Sequence, residues 1–211
     1  MMLSPKTQRK IYAYSETFNN LKLLFDSGKF PNKIIFSGNR GIGKCTLAYH
    51  ISNYILSKNE PNSYISDKNE INNENKSFTL VKKNSHPNLY LIELKDEKKN
   101  IEISQIRKMI DYTNKSSFNN DYKIIIIDNV ENLNINSVNA LLKIVEEPND
   151  KVLFFLVHNS NKKISDTLKS RCISYNLFLN EENKEKIVNS ILGDGIYNDI
   201  GNDFKNYYSS P

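Results

Sequence analysis

The sequence predicts an α/β fold in which a mainly parallel, doubly wound sheet is covered by helices on both faces. Three observations support this prediction. Four consecutive isoleucines at 124–127 are typical of a strand buried on both faces. A glycine-rich loop at 38–43 stands between a short apolar run and a helical pattern. Apolar runs and helical patterns then alternate along most of the chain, as expected for strands joined by helices.

The first predicted elements lead into the glycine-rich loop. Apolar residues at helical spacing predict a helix over 15–29, with Ser15 as a candidate N-cap. A short apolar run predicts a buried strand over 33–37, and a helix over 45–57 is expected after the loop. The order strand, glycine loop, helix is the one that a phosphate-binding loop requires.

The segment 57–86 differs in character from the rest of the chain. It is polar, rich in Asn and weakly periodic. Such a composition supplies few side chains for a core, so we expect a flexible insertion here, with a short hairpin around 78–81.

The second half of the chain continues the alternation. Further strands are predicted at 89–94, 123–128, 152–157 and 173–178. Further helices are predicted at 104–113, 135–147, 165–169 and 181–192. Asn134 is a plausible cap for the helix over 135–147, and Pro148 is expected to stop it.

Composition and charge argue against several classes of protein. No apolar run approaches the roughly 20 residues that cross a bilayer, and we expect no signal peptide. Cys45 and Cys172 are too few for a disulfide framework or a four-cysteine zinc site, and the histidines lack ligand spacing. We therefore expect no metal and a reducing, cytoplasmic location. The net charge is +5, but the lysines are mixed with acids, which indicates a solvated surface.

Residues 38–44 fit the pattern G-x-x-x-x-G-K of a phosphate-binding loop. Gly38, Gly41 and Gly43 would permit a tight turn and let backbone N–H groups approach the phosphates. The following helix would present its positive N-terminus to the anion. Lys44 would reach the β- and γ-phosphates, so ATP or ADP is the predicted ligand.

Two residues depart from the requirements of hydrolysis. The motif requires Ser or Thr after the lysine to bind Mg²⁺, but Cys45 stands there, and a neutral thiol is a poor ligand for this ion. Thr46 lies about 100° further around the helix, so its hydroxyl is not expected to replace the missing Mg²⁺ ligand. Asp128 ends the isoleucine strand, as the second-motif aspartate does in loop nucleotidases. In hydrolysing members of the ring-forming ATPase class a Glu follows and polarises the attacking water, but here Asn129 follows, and an amide cannot accept a proton. Glu131 lies beyond the strand and is a poor substitute. We expect weak ATP or ADP binding, a doubtful Mg²⁺ site and no hydrolysis.

Over 14–172 the chain resembles the clamp-loader subunits of the AAA+ class, in particular the delta prime family of bacterial DNA polymerase III. The resemblance rests on SGKFPNKIIFSGNRGIGKCTLAY at 27–49, HPNLYLIE at 86–93, DNVENLNINSVNALLKIVEEP at 128–148 and SRC at 170–172. The segments NALLK, EEP and SRC together are much more specific than the loop alone. The resemblance implies a three-layer P-loop sandwich of AAA+ type with a mainly parallel five-stranded sheet, plus the start of a small helical lid.

The resemblance also implies roles for two residues. Arg171 would enter the nucleotide site of a neighbouring subunit as an arginine finger, a role that suits a permanently charged, planar group. Asn159 falls where the family places its sensor 1 residue. The alternatives are a surface arginine and a turn asparagine.

Three functions remain open at this point. The first, implied by the resemblance, is a non-hydrolysing clamp-loader subunit. Its implied partners are gamma/tau and delta subunits and, through the complex, the sliding clamp and the phosphates of primer–template DNA. The second is an active ATPase motor of the gamma/tau type. The third is a nucleotide-binding module unrelated to replication.

The chain departs from the family pattern in its domains. We expect an AAA+ type domain over 1–178, in which the insertion at 57–86 replaces the zinc module of many clamp-loader subunits, so no zinc is expected. Residues 179–211 would begin the helical lid, and the C-terminal collar domain would be absent, which puts ring assembly in doubt.

Overall fold

The computed structural model describes residues 4–95, 98–147, 149, 151–193 and 195–200. Five strands form one sheet: β1 Lys33–Gly38, β2 Leu89–Ile92, β3 Lys123–Ile127, β4 Val152–Asn159 and β5 Ile173–Asn176. Their spatial order is β2-β3-β4-β1-β5, and each pair of neighbours is parallel. The predicted α/β fold with a parallel five-stranded sheet is confirmed.

The helices of the described residues connect these strands. They are α1 Ser15–Asp26, α2 Lys44–Leu56, α3 Lys76–Lys82, α4 Ile103–Asn114, α5 Ile135–Glu146, α6 Asp166–Lys169, α7 Glu181–Leu192 and α8 Ile196–Asp199. Short 3-10 turns occupy Pro5–Thr7, Ser66–Lys68, Phe118–Asn120 and Val130–Asn132. None of the described helices is long and apolar enough to cross a membrane.

The isoleucine strand β3 shows how the three layers are held together. Ile124 and Ile126 lie in the apolar cluster that contains residues of α1 and α2. Ile125 and Ile127 lie in the opposite cluster, with residues of α4 and α5. All four are fully buried, and each contributes about 2 kcal/mol of apolar burial. The sheet is therefore a middle layer that requires helices on both faces.

Helix α1 departs from the prediction at its N-cap and at its last residue. Ser15 is the first residue of α1 and not its cap, because Tyr14 occupies the N-cap position in a left-handed conformation, with φ 65°. The same helix ends at Asp26, before the predicted residue 29, because Gly28 adopts φ +70° and breaks the helical path. The predicted cap Asn134 is confirmed, since its side chain accepts the N–H of Ser137 at 2.9 Å. Pro148 lies outside the described residues.

The hairpin predicted around 78–81 is wrong, because this stretch belongs to helix α3. The Asn75 side chain caps the helix by accepting the N–H of Phe78 at 2.6 Å. The segment also places Tyr64, Ile71 and Val81 in the core. Its Asn-rich composition concealed both features, since asparagines serve as caps as well as loop residues. The flexibility expected over 57–86 stays a prediction.

A hydrogen-bonded cluster ties α3 to the beginning of β2. The Ser77 hydroxyl donates to Glu60 Oε1 at 2.6 Å, and His86 Nε2 lies 3.0 Å from Ser77 Oγ. The N–H of Asn88 donates to His86 Nδ1 at 3.1 Å, so Nε2 carries the ring proton and donates to the serine. A serine nucleophile would need the opposite direction, so this cluster is structural. Among the described residues, no group of three or more His, Cys, Asp or Glu could hold a metal.

A second histidine is buried within α2. His50 is fully buried, and its Nδ1 lies 2.8 Å from the Tyr64 hydroxyl. Burial lowers the pKa of His50 from 6.5 to about 3. The folded chain therefore holds the neutral imidazole, whereas the unfolded chain takes up a proton below about pH 6.5.

Acid should therefore destabilise this protein through His50. The stabilising contribution is complete above about pH 6.5 and is lost as the pH falls toward 3, amounting to about 2 kcal/mol between pH 7 and pH 5. Urea unfolding at both pH values measures it. His50→Gln should flatten the pH dependence, whereas Tyr64→Phe keeps the imidazole buried and should preserve it. An equal dependence in wild type and His50→Gln would refute this assignment.

Candidate functional site

The glycine loop leaves the sheet at the end of β1. Gly41 and Gly43 have φ values of +83° and +90°, which favour glycine because other side chains are strained there. Gly38 is required for a different reason. A Cβ atom at this position would lie 2.4 Å from the Leu177 carbonyl oxygen and 2.6 Å from Ile42 Cδ1. The loop therefore depends on its glycines both for backbone conformation and for close packing.

Lys44 is folded into this loop. Its side chain is buried, and Nζ donates to the carbonyl oxygens of Gly38, at 2.8 Å, and Asn39. Burial lowers the lysine pKa, while the negative charges of Asp128 and Glu131 oppose that change. The loop carbonyls are thus the partners of the ammonium, and its predicted contact with the phosphates stays a prediction.

A cavity of about 360 Å³ opens beside the loop. The predicted site residues that line it are Gly41, Gly43, Lys44, Cys45, Thr46, Asp128, Asn129 and Asn159. Gly38 is not among its lining residues. Arg40 and Pro5 also line it and were not singled out from the sequence. Arg40 could have been recognised in the sequence as a cationic side chain within the loop motif itself.

The acidic side of the cavity comes from the end of β3. The backbone N–H of Asp128 donates to Ile92 O at 2.8 Å, which holds this residue beside β2. Burial raises the pKa of the Asp128 carboxyl, while the Asn129 backbone N–H and Lys44 oppose the rise. Asn129 has φ 57° and begins the 3-10 turn Val130–Asn132. Its side-chain amide has no basic group to accept a proton from water.

Glu131 has a contact that the sequence did not indicate. Its Oε2 accepts the backbone N–H of Asn159 at 3.1 Å, and Asn159 Oδ1 accepts the N–H of Asn161 at 3.2 Å. Glu131 thereby joins the turn after β3 to the end of β4. Asn159 lies at the carboxyl end of β4, as the sequence predicted.

Cys45 places a thiol where a Mg²⁺ site would need a hydroxyl. Burial raises the pKa of its thiol well above the ordinary value, and Asp128 adds to this effect. The group therefore stays a neutral thiol at neutral pH, which is a poor Mg²⁺ ligand. Thr46 also lines the cavity, so a hydroxyl is present one residue later. The donor set at position 45 does not fit a Mg²⁺ ion.

A second cavity of about 230 Å³ adjoins the first and shares Gly41, Gly43 and Thr46 with it. Its walls come from the N-terminal segment, including Tyr12 and Tyr14, and from Ile187 and Ile191 of α7. The Tyr14 hydroxyl donates to Ile42 O at 2.9 Å, which fixes the tyrosine against the loop. A charged cavity and a more apolar one thus meet at the glycine loop.

Arg171 lies apart from both cavities. It follows α6, and its Nη1 donates to Thr167 O at 2.9 Å. Its Nε lies 2.8 Å from Glu146 Oε1, at the end of α5. Arg171 is not among the residues that line either cavity. The next residue, Cys172, packs against the core, and burial raises its thiol pKa to about 11, in keeping with a packing role.

Sequence comparisons relate the chain to replication proteins. A family model described as DNA polymerase III, delta subunit, matches residues 13–180. DNA polymerase III subunit delta' of Buchnera aphidicola from Acyrthosiphon pisum is 30% identical over 177 residues, covering 83% of this chain and 52% of that protein. The gamma subunit of Buchnera aphidicola from Schizaphis graminum is 29% identical over 201 residues, covering 95% and 52%. The chain spans about half the length of these curated relatives.

Solved structures support the same fold. A DNA polymerase III gamma subunit-related protein from Thermotoga maritima superposes with a TM-score of 0.57 at 19% identity, covering 86% of this chain and 52% of that one. The RuvB branch migration motor of the same organism gives 0.50 at 15% identity, covering 89% and 55%. At these identities the likeness shows the fold alone.

The packing around Gly38 yields a stability prediction. Gly38→Ala should lower the free energy of unfolding by about 1–3 kcal/mol, because the new methyl group meets the Leu177 carbonyl. Urea unfolding measures the change. Adding Ile42→Ala removes one of the two contacts but leaves the backbone contact, so it should not restore stability. Full recovery in the double variant would contradict this account.

Proposed function

We propose a function on the basis that this chain belongs to the family of the DNA polymerase III delta subunits. The chain is a clamp-loader-type protein of the delta'/gamma kind. Within that group we infer that it is a delta prime-like structural subunit that does not hydrolyse ATP. It supplies Arg171 to the nucleotide site of a neighbouring ATPase subunit.

One observation carries the first half of this proposal. The cavity is lined by Gly41 and Gly43 of the glycine loop, the lysine and the strand-end aspartate, yet the two positions needed for metal binding and water activation are Cys45 and Asn129. A neutral thiol binds Mg²⁺ poorly, and an amide is not a base. The cavity is suited to a phosphate group without the chemistry for its hydrolysis. ATP or ADP would bind weakly here, with its adenine ring in the adjoining cavity.

The placement of Arg171 supports the second half. The guanidinium is partly exposed and is not among the residues that line the two cavities described above, which supports an action on a second subunit. A planar cation with several donors suits the charge that develops on a transferring phosphoryl group. We propose gamma/tau and delta subunits as the partners, and sliding-clamp loading on primed DNA in the cytoplasm as the process. Residues 179–211, which include α7, would be the beginning of a helical lid.

The alternative is an active ATPase motor of the gamma/tau type. It is favoured by the gamma subunit match over 201 residues and by the retained Lys44. It requires that Thr46 or another oxygen replaces the missing hydroxyl and that Glu131 replaces the missing base. The hydrogen bond from the Asn159 N–H already occupies one oxygen of Glu131, which makes that substitution less suitable.

Nucleotide binding separates the two functions. We expect the purified chain to bind ATP weakly, with no gain on adding Mg²⁺ and no turnover above background. Cys45→Thr supplies the missing hydroxyl, so Mg²⁺ should tighten ATP binding to this variant by about tenfold. Calorimetric titration with and without Mg²⁺ measures both. Lys44→Ala is the control, which should abolish binding in either background.

Tight, Mg²⁺-dependent binding by the wild-type chain, with turnover lost in Lys44→Ala, would establish the motor instead.

The finger is tested in a reconstituted complex of this chain with the gamma-type and delta subunits of the same genome, sliding clamp and primed DNA. Arg171→Ala should reduce the ATPase rate at the adjoining gamma-type site by about 100-fold or more, because the phosphoryl charge loses its cation. Arg107→Ala removes an exposed arginine of α4 and should leave the rate unchanged. Equal rates in Arg171→Ala and wild-type complexes would exclude the finger, provided that both complexes assemble.

A further inference from the structure

Arg171 is held by two contacts within its own chain. Its Nε donates to Oε1 of Glu146, the last residue of α5, at 2.8 Å. Its Nη1 donates to the carbonyl oxygen of Thr167, in α6, at 2.9 Å. These two groups come from different helices, so the guanidinium lies between the end of α5 and Thr167 of α6.

The geometry leaves part of the guanidinium open. Arginine has five N–H donors in a planar fork. The contacts to Glu146 and Thr167 use the Nε proton and one Nη1 proton. Within the part of the chain that the structure describes, no hydrogen bond is made by Nη2 of Arg171. The remaining donors suit two oxygens of a phosphate group.

The ion pair contributes little to stability. The side chains of Arg171 and Glu146 are 38% and 48% exposed, and pairs of this kind are weak because water screens them. The larger effect is on orientation. A free arginine side chain has many rotamers, and a partner at Nε favours one of them before a ligand arrives.

We propose that Glu146 is the positioning residue of the arginine finger. Its carboxylate binds Arg171 from behind and turns the open donors toward the nucleotide of the neighbouring subunit. This inference rests on the proposed function of Arg171. It also gives a role to the first glutamate of the EEP segment, for which the sequence alone indicated none.

The test uses the same reconstituted complex and measures its ATPase rate. Glu146→Ala should lower kcat by about 5- to 10-fold with little change in KM for ATP, because the finger acts on the transition state. Glu146→Gln keeps an oxygen that accepts from Nε and should recover part of the loss. Glu147→Ala, at the exposed next residue beyond the helix, is the matched control and should match wild type.

A double-mutant cycle distinguishes positioning from a separate structural role. In an Arg171→Ala background, Glu146→Ala should cause no further loss, since it acts only through the arginine. An additional loss there would overturn the inference, as would a wild-type or raised rate in Glu146→Ala alone. If instead Arg171→Ala itself has no effect, the finger proposal fails, and the positioning role fails with it. The two failures are therefore told apart by the single Arg171→Ala variant.

Discussion

Parallel strands end at one edge of their sheet, and the candidate site depends on this constraint. The register of β1 with β4 places Gly38 opposite Asn159. The register of β3 with β4 continues the row, so that Asp128 follows Ile127 at the same edge. Residues that are far apart in the sequence meet at this edge because of the strand pairing alone, as at the carboxyl edge of other open α/β sheets.

Charge balance governs the binding properties of this edge. Lys44, Asp128 and Glu131 interact electrostatically, and burial works against the charged form of both the lysine and the aspartate. The lysine is stabilised by the two carboxylates and by loop carbonyls, so the cavity has internal partners for its cation. A phosphate would have to displace these contacts. Arg40 adds a second cation to the lining, which offsets part of that cost.

Much of this structure could be predicted from the sequence because the strands are buried on both faces. The isoleucine run of β3 and the apolar run of β4 can be buried only as central strands of a sheet that is covered on both faces. The glycine loop after β1 determines where α2 begins. The failures have local causes. Tyr14 takes the cap position that Ser15 was expected to fill, and Asn75 caps a helix where a flexible insertion with a short hairpin was expected. Caps depend on backbone conformation, which composition does not specify.

The contacts of Glu131 and Glu146 were hidden for a different reason. Each carboxylate reaches a partner 25 or more residues away, Asn159 and Arg171 respectively, and no periodic pattern encodes such a pair. One glutamate lies in the turn before α5, and the other is the last residue of α5. The helix between them is continuous and is anchored by Leu141 and Val145 in the core. The position of Arg171 is therefore set in part by the helix that follows the turn of Glu131, so a change that displaced α5 would disturb the contacts of both glutamates.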